Sequence, residues 1–146
     1  MKKILISLSM IVIIGSANAH ANHSTTANWR MKETFKQEFA GAASVQWMAE
    51  EEYNVARFEL MGHTVMAYFD NDGELIGSMK DMLFSQLPIA VIRSINKHFD
   101  EPVSFVVHEI SNPEGTFYWL KFDAQNKHYH VKMDANGFLL VTEPVK

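Results

Sequence analysis

The sequence predicts an α+β protein made of two tandem units, each a helix followed by a four-stranded antiparallel meander (α-β4-α-β4). Three observations carry this. The stretch Tyr53–Phe58 with Phe69–Leu75 returns as Phe117–Phe122 with Met133–Leu139, and Phe58/Phe122, Asp70/Asp134, Gly73/Gly137 and Leu75/Leu139 share one offset of 64 residues. Such a repeat marks two copies of one supersecondary unit. Apolar residues recur at helical spacing in Met31, Phe35 and Phe39, and again in Leu87, Val91, Ile95 and Phe99. After each stripe come short runs rich in β-branched and aromatic residues, separated by Gly and Asx turn signals.

Taken in chain order, residues 1–19 read as a signal peptide. Lys2 and Lys3 precede an apolar run from Ile4 to Ile14, and Ala17 and Ala19 supply a small-residue cleavage pattern, with Ala21 as a second cleavage position. The run is shorter than the about 20 apolar residues that span a bilayer. Residues 20–27 read as a flexible N-terminus, 28–80 as the first unit and 81–146 as the second. In the first unit a helix carries Met31, Phe35 and Phe39 and stops at Gly41, a residue suited to left-handed backbone. Strands are expected over Ser44–Ala49, Tyr53–Leu60, Thr64–Phe69 and Glu74–Met79, with turns at Gly62 and at Asn71 to Gly73. In the second unit Pro88 suits a first helical turn, where its missing N–H has no partner to lose. Asp100 to Pro102 end that helix, and strands follow over Val103–Ile110, Thr116–Asp123, His128–Met133 and Phe138–Thr142. The helices align at an offset of 60 and the later strands at 64, so four extra residues lie between the first two strands of unit two. Ser111 to Gly115, read as a longer turn than Glu50 to Glu52, takes them up.

Charge and composition exclude several classes. Taking Lys2 and Lys3 from 13 basic residues leaves 11 against 17 acidic ones, a balance of −6 for the mature chain. That is the wrong sign for nucleic acid or for a polybasic membrane contact, and no second long apolar run predicts membrane insertion after the signal is removed. There is no cysteine, hence no disulfide framework and no thiol chemistry. Exported into the periplasm or beyond, the chain must hold together by burial, which about 125 residues suffice to provide.

The residues Phe35 to Phe39, Ala43 to Trp47, Phe69 to Gly73, Leu87 with Pro88, and Glu109 with Ile110 followed by Gly115 to Phe122 carry a resemblance to a known family. The chain resembles the exported PepSY-like proteins described as β-lactamase-inhibitor-like, found in bacteria of the Bacteroides group. The resemblance covers the mature chain. It implies that the two units join into one curved sheet with the helices on one face, and that the concave face grips another protein. The chain departs from the namesake inhibitors in lacking cysteine.

Strand alternation separates buried from displayed positions. Ala56, Phe58 and Leu60, with Leu120 and Phe122, are expected under the helices, as are Val65, Ala67 and Phe69 with Tyr129, Val131 and Met133. The opposite face then shows Tyr53, Val55, Arg57, Thr64, Met66 and Tyr68 in unit one. In unit two it shows Phe117, Trp119, Lys121, His128, His130 and Lys132. Aromatic residues, Met and Arg are the side chains enriched at protein interfaces. The partner-binding face is therefore assigned to Tyr53, Arg57, Met66, Tyr68, Phe117, Trp119, His128 and His130, with a cell-envelope protein or peptide as the expected partner.

Other chemistry has little footing. Asp70, Asp72 and Gly73 resemble the start of a calcium loop, but a third ligand and a distant glutamate are missing, and Asx-Gly between strands is foremost a hairpin signal. His128 and His130 alone fall short of the three or four ligands of a zinc site; a small molecule or metal ion held there is the alternative reading. No nucleophile elbow, zinc-protease helix or phosphate loop occurs, so no catalytic residue, metal or cofactor is assigned and the chain reads as a non-enzymatic binding protein.

Overall fold

The computed structural model describes residues 29–145. The expected signal peptide and its cleavage sites lie outside those residues. Helix α1 (Trp29–Glu38) leads into strands β1 (Ala43–Ala49), β2 (Asn54–Leu60), β3 (His63–Phe69) and β4 (Leu75–Met82). A single 3-10 turn (Phe84–Gln86) and helix α2 (Ile89–His98) precede β5 (Val103–Asn112), β6 (Gly115–Ala124), β7 (Lys127–Asp134) and β8 (Leu139–Val145). All eight strands form one antiparallel sheet in chain order. The two units are fused where β4 pairs with β5, from Ser78 opposite Ser111 to Met82 opposite Val107.

Each helix covers its own half of one sheet face. Met31 and Phe35 pack on Ala56, Phe58, Val65, Ala67 and Phe69, with Trp47 and Leu60 at the margin. Phe35 meets Phe58 edge-on at 4.9 Å between ring centres, a favoured aromatic geometry. In unit two Val91, Ile95 and Phe99 pack on Val107, Leu120, Phe122, Val131 and Met133, and Phe99 meets Phe122 in the same edge-on manner at 4.8 Å. The expected core sets are the observed ones, with Tyr129 and Leu60 half-buried at the margins.

The repeat extends to details of backbone. Ser44 and Ser104, 60 residues apart, both take left-handed φ (55° and 59°) where β1 and β5 carry an extra residue against their partners. A second pair of bulges falls between Tyr68 and Phe69 and between Lys132 and Met133. Bulges bend and twist a strand, so the matched pairs curve both halves of the sheet alike. Tight turns match as well. Met61 with Gly62, and Gln125 with Asn126, all have positive φ, as a two-residue hairpin turn of the twist-compatible kind requires. Asp70 Oδ1 accepts from the N–H groups of Asp72 and Glu74 at 3.0 and 2.9 Å. Asp134 Oδ1 accepts from those of Asn136 and Phe138, both at 2.9 Å. These loops are side-chain-braced turns, Asp70 spending its carboxylate on backbone donors.

The structure corrects the expected place of the four extra residues. They do not widen a turn. β5 and β6 are each 10 residues long against 7 for β1 and β2. Only Pro113 and Glu114 link β5 to β6, whereas residues 50–53 link β1 to β2. The insertion lengthens a hairpin, and Ile110 and Ser111 in the added part of β5 extend its pairing with β4. β4 and β8 also run on to Met82 and Val145, past the expected ends at Met79 and Thr142. Leu87, expected in the helical stripe, is buried just ahead of α2. The Pro88 carbonyl accepts the first helical bonds, from Val91 and Ile92 at 3.0 and 3.1 Å. Gly41, in the turn that follows the end of α1 at Glu38, takes φ 88°.

Candidate functional site: the open face of the sheet

The face opposite the helices is covered by nothing among the described residues, and cross-strand pairing fixes what it presents. One row runs straight across the strands: Arg57 opposite Met66, Met66 opposite Met79, Met79 opposite Ile110, Ile110 opposite Phe117. A second pairs Val55 with Tyr68 and Tyr68 with Gly77. A third pairs Asp81 with His108, His108 with Trp119, and Trp119 with Lys132. Arg57, Met66, Tyr68, Phe117, Trp119, His128 and His130 all stand on this face, as expected. Tyr53 lies just before β2, its ring 5.9 Å from that of Tyr68.

The face is concave rather than flat. Val55 and Ile110 are 4% and 6% exposed although no helix lies over them; their neighbours on the curved sheet rise around them. Met66, Tyr68, Met79, Phe117 and Trp119 are half-buried by one another. Sequence reasoning missed Met79, Ile110, His108 and Asp81. Their facing depends on how β4 meets β5, and bulges break the alternation ahead of both pairs, at Ser104 on β5 and between Leu75 and Gly77 on β4. Gly77 permits the close approach there, since a Cβ on it would come 2.8 Å from the Ser111 carbonyl oxygen.

Polar groups are unevenly satisfied. His108 Nδ1 pairs with Asp81 Oδ1 at 2.8 Å, and His128 Nδ1 pairs with Asp123. Lys132 Nζ sits 4.5 Å from the Phe117 ring centre, a cation–π contact. Burial, with Lys121 adding to it and Glu143 opposing, lowers His130 below the usual histidine range. Burial, reinforced by Tyr53, raises the Tyr68 phenol, which therefore stays neutral at physiological pH and offers a hydroxyl. Trp119 Nε1 is sealed from solvent without an acceptor, a group that costs about 1–3 kcal/mol when left unmade.

His128 and His130 share the face as expected, but one has Asp123 and the other borders Lys121. Among the described residues no three or more His, Asp or Glu side chains cluster to hold a metal. An open cleft of about 840 Å³ lies at the end of unit two, between Asp100, Glu101, Val103 and the β6–β7 turn; Gln125 Nε2 donates to Asp100 Oδ2 across it at 2.7 Å. No helix among the described residues is long and apolar enough to cross a membrane. The arrangement offers shape, aromatic surface and charge.

No family model matches the chain, and no curated protein does. Solved structures share its fold. A protein of Bacteroides eggerthii described as a candidate periplasmic protein aligns over 83% of this chain and 91% of its own, with 21% identity and TM-score 0.74. A DUF2874 family protein of Bacteroides ovatus aligns over 83% and 89%, with 22% identity and TM-score 0.75. A BLIP-like protein of Bacteroides fragilis aligns over 81% and 86%, with 19% identity and TM-score 0.68. The fold is thus BLIP-like, one curved antiparallel sheet backed by two helices.

Proposed function

We propose that the chain is an exported, non-enzymatic binding protein of the BLIP-like kind that recognises a protein or peptide of the cell envelope through the open, concave face of its sheet. The observation that supports this reading is the apolar strip of Met66, Tyr68, Met79, Phe117 and Trp119, left uncovered by the helices over buried Val55 and Ile110. A contiguous apolar surface of this sort, edged by polar groups, marks a contact site, and Tyr, Trp, Met and Arg are typical anchors. The BLIP-like and periplasmic descriptions of two of the structural relatives agree with binding in the envelope.

The test is capture from envelope extract by the wild-type protein and by a Trp119→Ala, Tyr68→Ala double variant whose thermal unfolding is followed in parallel. The reading expects a folded variant that loses the captured species. Undiminished capture by a folded variant sinks it.

A further inference from the structure

The sheet ends at β8, with no strand beyond it among the described residues. Four consecutive apolar residues of that edge, Phe138 to Val141, are between 36% and 70% exposed. Their counterparts 64 residues earlier begin with the charged Glu74, and Leu75 to Gly77 are half-buried inside the sheet, where β5 follows β4. Backbone groups are free along the same stretch. The Asp134 N–H donates to the Phe138 carbonyl at 3.1 Å, and ladder bonds alternate from there. Leu139 and Thr142, opposite Met133 and Val131, therefore turn their N–H and C=O groups outward. An apolar edge with free donors and acceptors is a template for another strand.

The duplication supplies a model for one such strand, β1 of a second copy, because β4 already pairs with β5 inside the molecule. Carried over by the offsets of 64 and 60, Met79 opposite Ile110 becomes Glu143 opposite Glu50. Lys80 opposite Glu109, an ion pair at 2.9 Å, becomes Pro144 opposite Ala49. Like charges directly opposite destabilise a ladder, and Pro144 has no N–H where the same alternation turns that of Lys80 toward β5. Head-to-tail addition is thereby closed off. Pairing β8 with β8 of a second copy meets neither obstacle. Leu139 exchanges bonds with the second copy's Thr142, and Thr142 with its Leu139. Leu140 then lies against Val141, Glu143 against Phe138 and Pro144 against Gly137, so no like charges meet and the missing N–H falls outside the exchanged bonds. The β8 bulge makes this pairing symmetric. With Leu140 as its extra residue, Leu139 and Thr142 both stand on the helix side, opposite the fully buried Met133 and Val131. A twofold axis normal to the sheet needs opposed residues on one face, and regular alternation would put residues three apart on opposite faces.

From this geometry we infer that the protein forms a symmetric dimer in which β8 pairs antiparallel with β8 of a second copy over Leu139 to Thr142. The contact is isologous and closes on itself. It joins two sheets edge to edge with all helices on one side and both open faces on the other, and it does not depend on what the open face binds.

The test is sedimentation equilibrium of the exported protein over a wide concentration range, beside the variant Leu140→Lys. Wild type should follow a reversible monomer–dimer equilibrium with no larger species. Leu140→Lys should weaken the dimer about tenfold or more, a buried leucine being lost from each copy. Because the chain has no cysteine, single cysteines report the contact without relying on that variant's folding. Leu140→Cys, treated with a short thiol crosslinker, should give a linked dimer, and Gln46→Cys on β1 should not. A monomer at every concentration, a dimer indifferent to Leu140→Lys, or open-ended growth overturns the inference. So does a cysteine at position 140 that links only to a different envelope protein, which would make the occupant of this edge a foreign strand.

Discussion

Single residues show where the fold is tight and where it is idle. A Cβ on Gly137 would lie 2.5 Å from the Ala90 carbonyl oxygen, at φ 83°, so Gly137→Ala should destabilise by about 1–3 kcal/mol, read by urea unfolding. A cost below a few tenths would show that the β7–β8 turn is not clamped to α2. Trp119 behaves oppositely. Trp119→Phe deletes a buried donor that has no acceptor, offsetting the lost ring area, and should change stability little, while Leu120→Ala, one residue along and fully buried, should cost about 2–5 kcal/mol. His130 sets a sign in pH. Its protonation is disfavoured in the fold, so its contribution is complete above the unfolded value of about 6.5 and is lost as pH falls through the lowered folded value. Between those points the wild type should lose stability with falling pH more steeply than His130→Gln; parallel curves would contradict the assigned field. These core positions were legible from alternation alone, because Phe58, Leu120 and Val131 sit in unbroken runs. The pairs His108–Asp81 and His128–Asp123 were not, since cross-strand partners depend on register that a single sequence does not display.

At the scale of elements, periodicity carried the reading as far as a period lasts. Both helices and all eight strands were foreseen, because helical stripes and two-residue alternation are strong signals. Bulges defeat it, since one inserted residue flips the facing of everything beyond it. That is why Ile110 and Met79 were not assigned to the open face. The four-residue insertion was located in sequence but misjudged in shape, because Asn112, Pro113 and Gly115 signal a turn whatever the length of strand around it. The aspartate-braced turns recur in both units and should matter in both. Asp134→Ala removes two backbone-to-carboxylate bonds and should cost about 1–2 kcal/mol, with Asp70→Ala similar; a neutral result for both would mean that Gly73 and Gly137 alone hold the turns.

For the whole molecule, duplication made a scaffold and divergence made a surface. Core positions, bulges and turns match between units, while the open face differs: Met66 stands where the second unit has His130, and the lengthened β5–β6 hairpin brings Ile110 to the centre of the sheet. Curvature from matched bulges turns that face into a trough. None of the partner's identity was legible, because a binding surface is specified by what it meets. The central claim, that this trough is where the protein binds, is tested most directly by a photo-crosslinking residue placed at Met66, on the open face, or at Arg93, exposed on α2, in cells exporting the protein. Adducts with an envelope protein from position 66 and none from position 93 are the predicted result; adducts from position 93 alone, or equally from both, would contradict it.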